Sequence, residues 1–156
     1  MARVQLALNV SDLDEAIGFY SKLFATEPAK VRPGYANFAV TNPPLKLVLI
    51  ENDAQVSGSL NHLGVEVETT DEVAAAQARL AQVNLATAVE EQVACCYAVQ
   101  DKVWVDGPGG EPWEIYTVLS DDDAPAGDLR SAEPSGAACC ATRPDLAVAG
   151  PTPSCG

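Results

Sequence analysis

The residues best suited to chemistry in this sequence are one histidine, one carboxylate in an apolar strand and a pair of adjacent cysteines. His62 is the only histidine of the chain, and by itself it fits a structural or surface role as well as that of a ligand. Glu114 lies in EPWEIYTV, where strand alternation places it on the face opposite Trp113 and Ile115. A carboxylate in such a strand is costly unless it is paired with a cation or bound to a metal.

Cysteine usage indicates reduced thiols rather than disulfides. Of the five cysteines, Cys95-Cys96 and Cys139-Cys140 are adjacent pairs and Cys155 stands alone near the end. Neighbouring Cα atoms lie about 3.8 Å apart across a trans peptide, whereas an ordinary disulfide prefers about 5.5 Å. We therefore expect a reducing, cytoplasmic compartment. The last three cysteines either pass on or hold a soft ion, or have no role.

Cys95 and Cys96 are suited to binding one soft ion between them. Thiolates favour acceptors such as Cd, Zn or trivalent arsenic over Mg or Ca. Consecutive strand residues point to opposite faces, so we expect residues 90–94 to form a loop or bulge that presents both thiols together. The competing interpretation is that the pair packs as small hydrophobes. Lys102 lowers the pKa of a thiol if it lies close, and is otherwise a solvated lysine.

The elements that must position these residues follow one pattern, used twice. Residues 4–10 alternate as a strand, and Ser11 or Asp12 then caps a helix whose apolar positions recur at helical spacing. Two further strands follow, at residues 35–40 and 45–50. The first half is therefore a strand, a helix and then strands.

The second half repeats this order. Residues 62–67 alternate, and Thr70 or Asp71 caps the next helix. His62 thus opens the first strand of the second unit, at the place that Gln5 occupies in the first. Such a duplication, of about 55 residues, predicts two units that share one sheet system. The remaining strands of the second unit are expected at residues 86–91, 97–105 and 112–118.

Charge and composition exclude several classes of partner. A net charge of −13 and a pI near 4.2 argue against nucleic acid and against an anionic membrane, because neither is attracted to such a surface. No apolar run reaches the roughly 18 residues of a membrane span, and the N-terminus lacks the pattern of a signal peptide. Residues 120–156 are rich in Asp, Ala, Pro, Gly and Ser, which predicts a disordered tail.

The segments RVQLALNV, NHLGVEV, ACCYAVQDKVWVDGPGG and EPWEIYTV together resemble the vicinal-oxygen-chelate superfamily of glyoxalase I, extradiol dioxygenases and bleomycin-resistance proteins. Within it the chain is especially similar to carbon–arsenic lyases and cadmium-induced proteins. The resemblance implies an α+β fold in which two βαβββ repeats, at about 1–51 and 58–119, form a curved mixed sheet in a domain spanning 1–119. It leaves open whether the repeats pair within one chain or by exchange in a homodimer.

The same resemblance assigns metal ligands to Gln5, His62 and Glu114, and places the fourth ligand position near the apolar Leu47. Three protein ligands with open coordination positions are typical of non-haem iron oxygenases. The resemblance thus implies Fe(II) with dioxygen as co-substrate, and Ni, Co, Zn or Cd as other occupants. Gln5 stands where extradiol dioxygenases have a second histidine, and a neutral amide oxygen is a weaker donor than imidazole.

Two functions of different class follow from this likeness. The first is cleavage of the carbon–arsenic bond of trivalent organoarsenicals with release of arsenite, in which Cys95 and Cys96 hold the arsenic. The second is binding of cadmium and other soft ions without turnover. The ligand triad favours the enzyme, because thiol sequestration has no use for oxygen and nitrogen donors. A drug-binding relative of the bleomycin-resistance type leaves the cysteines unexplained. Aromatic side chains either line a pocket for the organic group or pack in the core, namely Tyr35, Phe38 and Tyr97.

Overall fold

Each half of the chain forms a strand, a helix and three further strands. The computed structural model describes residues 2–95 and 97–121, with the backbone alone for Cys95. The first unit comprises β1 (Arg3–Val10), α1 (Leu13–Phe24), β2 (Lys30–Arg32), β3 (Tyr35–Thr41) and β4 (Pro44–Glu51). The second comprises β5 (Leu60–Glu66), α2 (Thr70–Gln82), β6 (Ala88–Cys95), β7 (Ala98–Asp106) and β8 (Pro112–Asp121). Residues 122–156 of the tail expected to be disordered lie outside the described residues, as do Cys96, Cys139, Cys140 and Cys155.

All eight of these strands form one mixed sheet, in the order β2-β3-β4-β1-β5-β8-β7-β6. Within each unit the first strand runs parallel to the last, β1 beside β4 and β5 beside β8. The units join through the antiparallel pair of β1 and β5, so they pair within this one chain. This arrangement confirms the expected α+β fold of two βαβββ repeats.

The sheet curves strongly, so that its two ends approach each other. Five strand spacings separate β3 from β7 in the sheet order, which is roughly 24 Å in a flat sheet. Yet the rings of Tyr35, at the start of β3, and Tyr97, just before β7, have centroids 5.5 Å apart. The Tyr97 hydroxyl also donates to the carbonyl of Pro33 at 2.9 Å. The curvature therefore creates an inner, concave face that both units line.

The outer face carries the helices. Asp12, which is one of the two caps expected for this helix, caps α1 and accepts a hydrogen bond from the backbone N–H of Glu15. The cap of α2 is Thr69 rather than Thr70 or Asp71, because Thr69 and Glu72 form a reciprocal capping box. The main apolar core lies between α1 and the sheet and consists of Val10, Leu13, Ala36, Phe38, Val40, Leu47 and Leu49.

Some element bounds differ from those that the pattern indicates. The three-residue strand β2 has too few positions to show a period, and the sequence did not predict it. β8 runs to Asp121, past the expected domain end at residue 119. No helix in the described part of the chain has both the length and the apolar character needed to cross a membrane.

Candidate metal centre

Gln5, His62 and Glu114 meet on the concave face, in the three adjacent central strands β1, β5 and β8. The Gln5 amide nitrogen lies 3.0 Å from His62 Nε2 and 2.7 Å from Glu114 Oε1, and these last two atoms are 3.3 Å apart. All three side chains are buried, with residue exposures of 4, 3 and 2%. The structure thus brings together the three residues that the sequence resemblance implicated.

Glu114 is held as a carboxylate by a buried lysine. Burial alone would raise the pKa of Glu114, but the Lys102 ammonium and then His62 lower that pKa to about 2. Lys102 Nζ lies 3.0 Å from Glu114 Oε2, which leaves Oε1 directed towards Gln5 and His62. Lys102 is only 2% exposed, so its interpretation as a solvated lysine is wrong.

The ring of His62 is oriented by an amide beside it. Nδ1 lies 2.6 Å from Asn61 Oδ1, and Asn61 donates in turn to Asn9 Oδ1 at 2.9 Å. An amide oxygen can only accept a hydrogen bond, so Nδ1 carries a proton and Nε2 is the ring nitrogen that faces Gln5 and Glu114. The edge-on ring of Trp104, with centroids 5.5 Å apart, packs against the imidazole. This arrangement is the usual way in which a metal-binding histidine is supported.

The spacing of the donors fits a cation with octahedral preference. Cis ligands at about 2.1 Å from such a cation lie about 3.0 Å apart, close to the separations in this cluster. The match requires a half-turn of the Gln5 amide, which would place Oε1 rather than Nε2 beside His62 and Glu114. Among the residues that the structure describes, no three His, Cys, Asp or Glu side chains cluster together, so Gln5 must complete any such site.

The residue of the first unit that is equivalent to Glu114 is Val48 rather than Leu47. Ala7 pairs with Val48 in the first unit as Gly64 pairs with Glu114 in the second. Leu47 belongs to the core beneath α1, on the opposite face, whereas Val48 packs on the concave face. Both are apolar, so neither side chain could bind a metal.

A charged cluster that the sequence analysis missed lies beside Gln5. The Tyr116 hydroxyl lies within hydrogen-bond distance of Gln5 Oε1 and 2.9 Å from Glu66 Oε2. Glu66 also pairs with Lys46 at 3.3 Å and with Arg3 at 3.1 Å. Burial opposes ionisation of Glu66, but Lys46 and Arg3 hold its pKa below the usual value. A charge inside the apolar segment PLKLVLIE was the available sequence signal.

Arg3, Lys46 and Glu66 of this cluster line a cavity of about 210 Å³ on the concave face. Tyr35 lines the cavity and Tyr97 packs on Tyr35, whereas Phe38 lies in the core under α1. Of the three aromatic residues considered for a pocket, only Phe38 is therefore confined to core packing. The polar wall consists mainly of Arg3, Lys30, Asn37, Lys46, Glu66 and Gln100.

Cys95 is the last residue of β6, and its backbone pairs with Ala98, which lines the cavity. Residues 90–94 belong to this strand rather than to a loop. The ladder shifts register between Glu90 and Val93, and Gln92 has a φ of 50°, so the alternative expectation of a bulge is met. The end of β6 therefore lies close to the cavity, while Cys96 is outside the described residues.

Two curated relatives match most of the chain. The chain is 61% identical over 143 residues to the trivalent organoarsenical cleaving enzyme of Thermomonospora curvata, covering 92% of this chain and 91% of that protein. It is 62% identical over 123 residues to the cadmium-induced protein CadI of Mycobacterium tuberculosis, covering 79% of this chain and 80% of that protein. The first relative is named for an enzymatic activity, and the second is named for its induction by cadmium.

Solved structures share the fold at low sequence identity. The Mn(II)-bound glyoxalase from Novosphingobium aromaticivorans superposes with a TM-score of 0.56 at 18% identity, over 83% of this chain and 44% of that chain. An extradiol ring-cleaving dioxygenase from B. fuscum gives 0.55 at 20% identity, over 76% and 33% of the two chains. The model of the Glyoxalase/Bleomycin resistance protein/Dioxygenase superfamily matches residues 3–115. With the paired units and the converging donors, this match establishes that the chain belongs to that superfamily.

Proposed function

We propose that this chain cleaves the carbon–arsenic bond of trivalent organoarsenicals in an Fe(II)- and dioxygen-dependent reaction that releases arsenite. The observation that carries the proposal is the convergence of Gln5, His62 and Glu114 on the concave face of the sheet. The relative from Thermomonospora curvata, at 61% identity, is named as an enzyme that cleaves such compounds. The reaction would serve arsenic detoxification in a reducing cytoplasm, where thiols stay reduced.

Each residue has a distinct role in this proposal. Cys95 and Cys96 bind the arsenic through sulfur, while Gln5, His62 and Glu114 hold Fe(II). When bound, Fe(II) supplies the activation of dioxygen. The buried donors exclude bulk water from the reacting centre. Lys102 keeps Glu114 ionised and orients its free oxygen towards the other donors.

For a methylated arsenical the electron balance closes without a further co-reactant. The carbon loses the four electrons that one dioxygen gains, and the arsenic remains trivalent throughout. For a methyl substituent, dihydroxymethylarsine and dioxygen give arsenous acid and formaldehyde. A pentavalent, oxygen-saturated arsenical offers no free coordination to thiolate and should be a poor substrate.

The second candidate is a soft-metal-binding resistance protein without turnover. The 62% identity to CadI favours it, because that relative is named for induction by cadmium. The buried donor set speaks against it, since cysteine-based sequestration requires neither the imidazole of His62 nor the carboxylate of Glu114. The two candidates differ in whether arsenite is released.

The test loads the full-length protein with Fe(II) anaerobically, adds methylarsenite or phenylarsenite in air, and measures arsenite by chromatography with arsenic detection. We expect Cys95→Ser and Cys96→Ser to lose arsenical binding but keep their iron, because serine cannot replace a thiolate. His62→Ala should bind the arsenical and release no arsenite. Loss of iron in both cysteine variants would instead make the thiols metal ligands.

Alanine substitutions of Gln5 and Gln55 distinguish the loss of a metal ligand from a general effect of replacing a glutamine. Gln5→Ala and Glu114→Ala should lose most of their affinity for the divalent cation, as His62→Ala should. Gln55→Ala changes the same residue type at an exposed position and should bind the metal like the parent. If the parent releases no arsenite and His62→Ala behaves like it in every assay, the sequestration function is the correct one.

A further inference from the structure

The Tyr116 hydroxyl has two acceptors within reach and only one proton to donate. Gln5 Oε1 lies on one side and Glu66 Oε2, at 2.9 Å, on the other. Both side chains that compete for this proton are oxygen acceptors in the present arrangement, and Tyr116 is fully buried. One of the two contacts must therefore be left without a hydrogen.

The Tyr116 hydroxyl donates its proton to Glu66 rather than to Gln5. Its two oxygens receive the guanidinium of Arg3 at 3.1 and 3.2 Å, and Lys46 Nζ lies 3.3 Å from Oε2. These cations keep Glu66 an acceptor only, so the Tyr116 hydroxyl must donate to it. The oxygen of Tyr116 is then left as an acceptor on the side that faces Gln5.

A half-turn of the Gln5 amide resolves the competition at Tyr116, and it leaves Gln5 Oε1, His62 Nε2 and Glu114 Oε1 as three converging oxygen and nitrogen atoms that a bound cation would satisfy. Gln5 Nε2 then donates to Tyr116, Tyr116 donates to Glu66, and Gln5 Oε1 turns towards His62 and Glu114. An amide binds a cation through its oxygen and not through its nitrogen. The same rotation that resolves the competition for one proton thus completes the donor set of the metal centre.

We propose that Tyr116 and Glu66 are positioning residues that turn the oxygen of the Gln5 amide towards the metal. The inference rests on the proposed metal centre and adds residues that are not themselves ligands. Arg3 and Lys46, on the wall of the cavity, hold Glu66 in place for this task. The metal affinity of the centre therefore depends on Arg3, Lys46 and Glu66, which lie on the side of Tyr116 opposite Gln5.

The test is an anaerobic Co(II) titration of the full-length protein, in which the visible absorption of bound cobalt reports the affinity. Tyr116→Phe should weaken Co(II) binding by about 10- to 100-fold, the usual range when a partner of a metal ligand is removed. Tyr20→Phe, in α1 and away from the centre, should bind like the parent. Unchanged affinity in a folded Tyr116→Phe variant would falsify the proposal.

A double-mutant cycle distinguishes orientation from mere structural support. In a Gln5→Glu background both atoms at the end of residue 5 are oxygens, so no half-turn needs to be selected. Tyr116→Phe should then lower Co(II) affinity by less than about threefold in that background. An equal loss in both backgrounds would show that Tyr116 only supports the fold, and the proposal would be wrong.

Glu66→Gln provides a second route should Tyr116→Phe fail to fold. Its amide can donate as well as accept, so the Tyr116 proton is no longer drawn to one side. We expect Co(II) affinity to fall by about 3- to 10-fold, less than for Tyr116→Phe. Parental affinity in this variant would refute the orienting role. Failure of the parent itself to bind Co(II) would instead refute the proposed metal centre.

Discussion

Gly64 separates two of the proposed metal ligands, because it pairs with Gln5 on β1 and with Glu114 on β8. A Cβ added at this position would stand 3.1 Å from Glu114 Cγ and 3.3 Å from Gln5 Cβ. Both distances are tighter than ordinary van der Waals contact, so the two donors would have to move apart. The absence of a side chain at residue 64 therefore allows the cluster to close.

Gly64→Ala should consequently weaken the binding of Co(II) or Fe(II) by about tenfold, since donors must be held within about 0.5 Å of productive geometry. Anaerobic metal titration measures this effect. Gly18→Ala is the matched control, because no atom lies within 4 Å of its added Cβ. That variant should bind metal normally and gain about 0.5–1 kcal/mol of stability in α1. Equal metal affinity in both variants would contradict this role for Gly64.

On the concave face, a buried charged residue is not by itself evidence of a functional role. Lys46, Lys102 and Glu114 are buried charges, and each has a partner of opposite charge within 3.3 Å. Burial lowers the pKa of Lys46, and the neighbouring Glu66 carboxylate opposes this change. Removing either partner of such a pair leaves an uncompensated charge, which costs more than the pair contributes.

At the scale of the elements, α2 is anchored to the sheet by its first turn. Thr69 accepts a hydrogen bond from the backbone of Glu72, and the Glu72 carboxylate accepts from the backbone of Thr69. The next residue, Thr70, donates through its hydroxyl to Asp101 on β7. Because Asp101 precedes Lys102, this contact ties α2 to the strand that carries the partner of Glu114.

Thr69→Ala should lower the free energy of unfolding by about 1 kcal/mol, because it removes half of the capping box. Urea denaturation followed by circular dichroism measures this loss. Thr69→Ser keeps the hydroxyl and should retain most of the stability. If the serine and alanine variants lost equal stability, the hydroxyl cap would not be the cause.

At the scale of the whole molecule, contacts between the ends of the curved sheet join the two units. Lys30 on β2 forms an ion pair with Asp121 at the end of β8, and its ammonium also donates to the carbonyl of Tyr97 at 3.3 Å. The ladder between β7 and β8 continues as far as Asp121, which pairs with Ala98. We therefore expect the folded domain to require Asp121 for its full stability.

A chain that ends at Asp121 should keep the thermal stability of the full-length protein, to within about 0.5 kcal/mol, because the composition of 122–156 cannot support a packed core. A chain that ends at residue 119 should lose about 1 kcal/mol more, as the last ladder contacts disappear. Differential scanning calorimetry compares the two. A large fall in stability for the longer truncation would mean that residues 122–156 dock on the domain.

Several features were determined by the sequence alone because they depend on local periodicity. Alternation in β8 places Glu114 on the face opposite Trp113 and Ile115, whereas its grouping with Gln5 and His62 came from the family resemblance. The duplicated order of elements likewise follows from apolar spacing and turns. The function suggested by the sequence came from the family resemblance, since periodicity does not specify chemistry.

Only the tertiary structure decided how residues distant in the chain meet. Tyr116 and Gln5 are 111 positions apart, and no local pattern shows that the hydroxyl of one reaches the amide of the other. The burial of Lys102 and the position of Val48 on the concave face, in place of Leu47, likewise depend on strand register and sheet curvature. Register and curvature arise from pairing between strands and from the packing of whole faces, so they are properties of the assembled sheet rather than of any one segment.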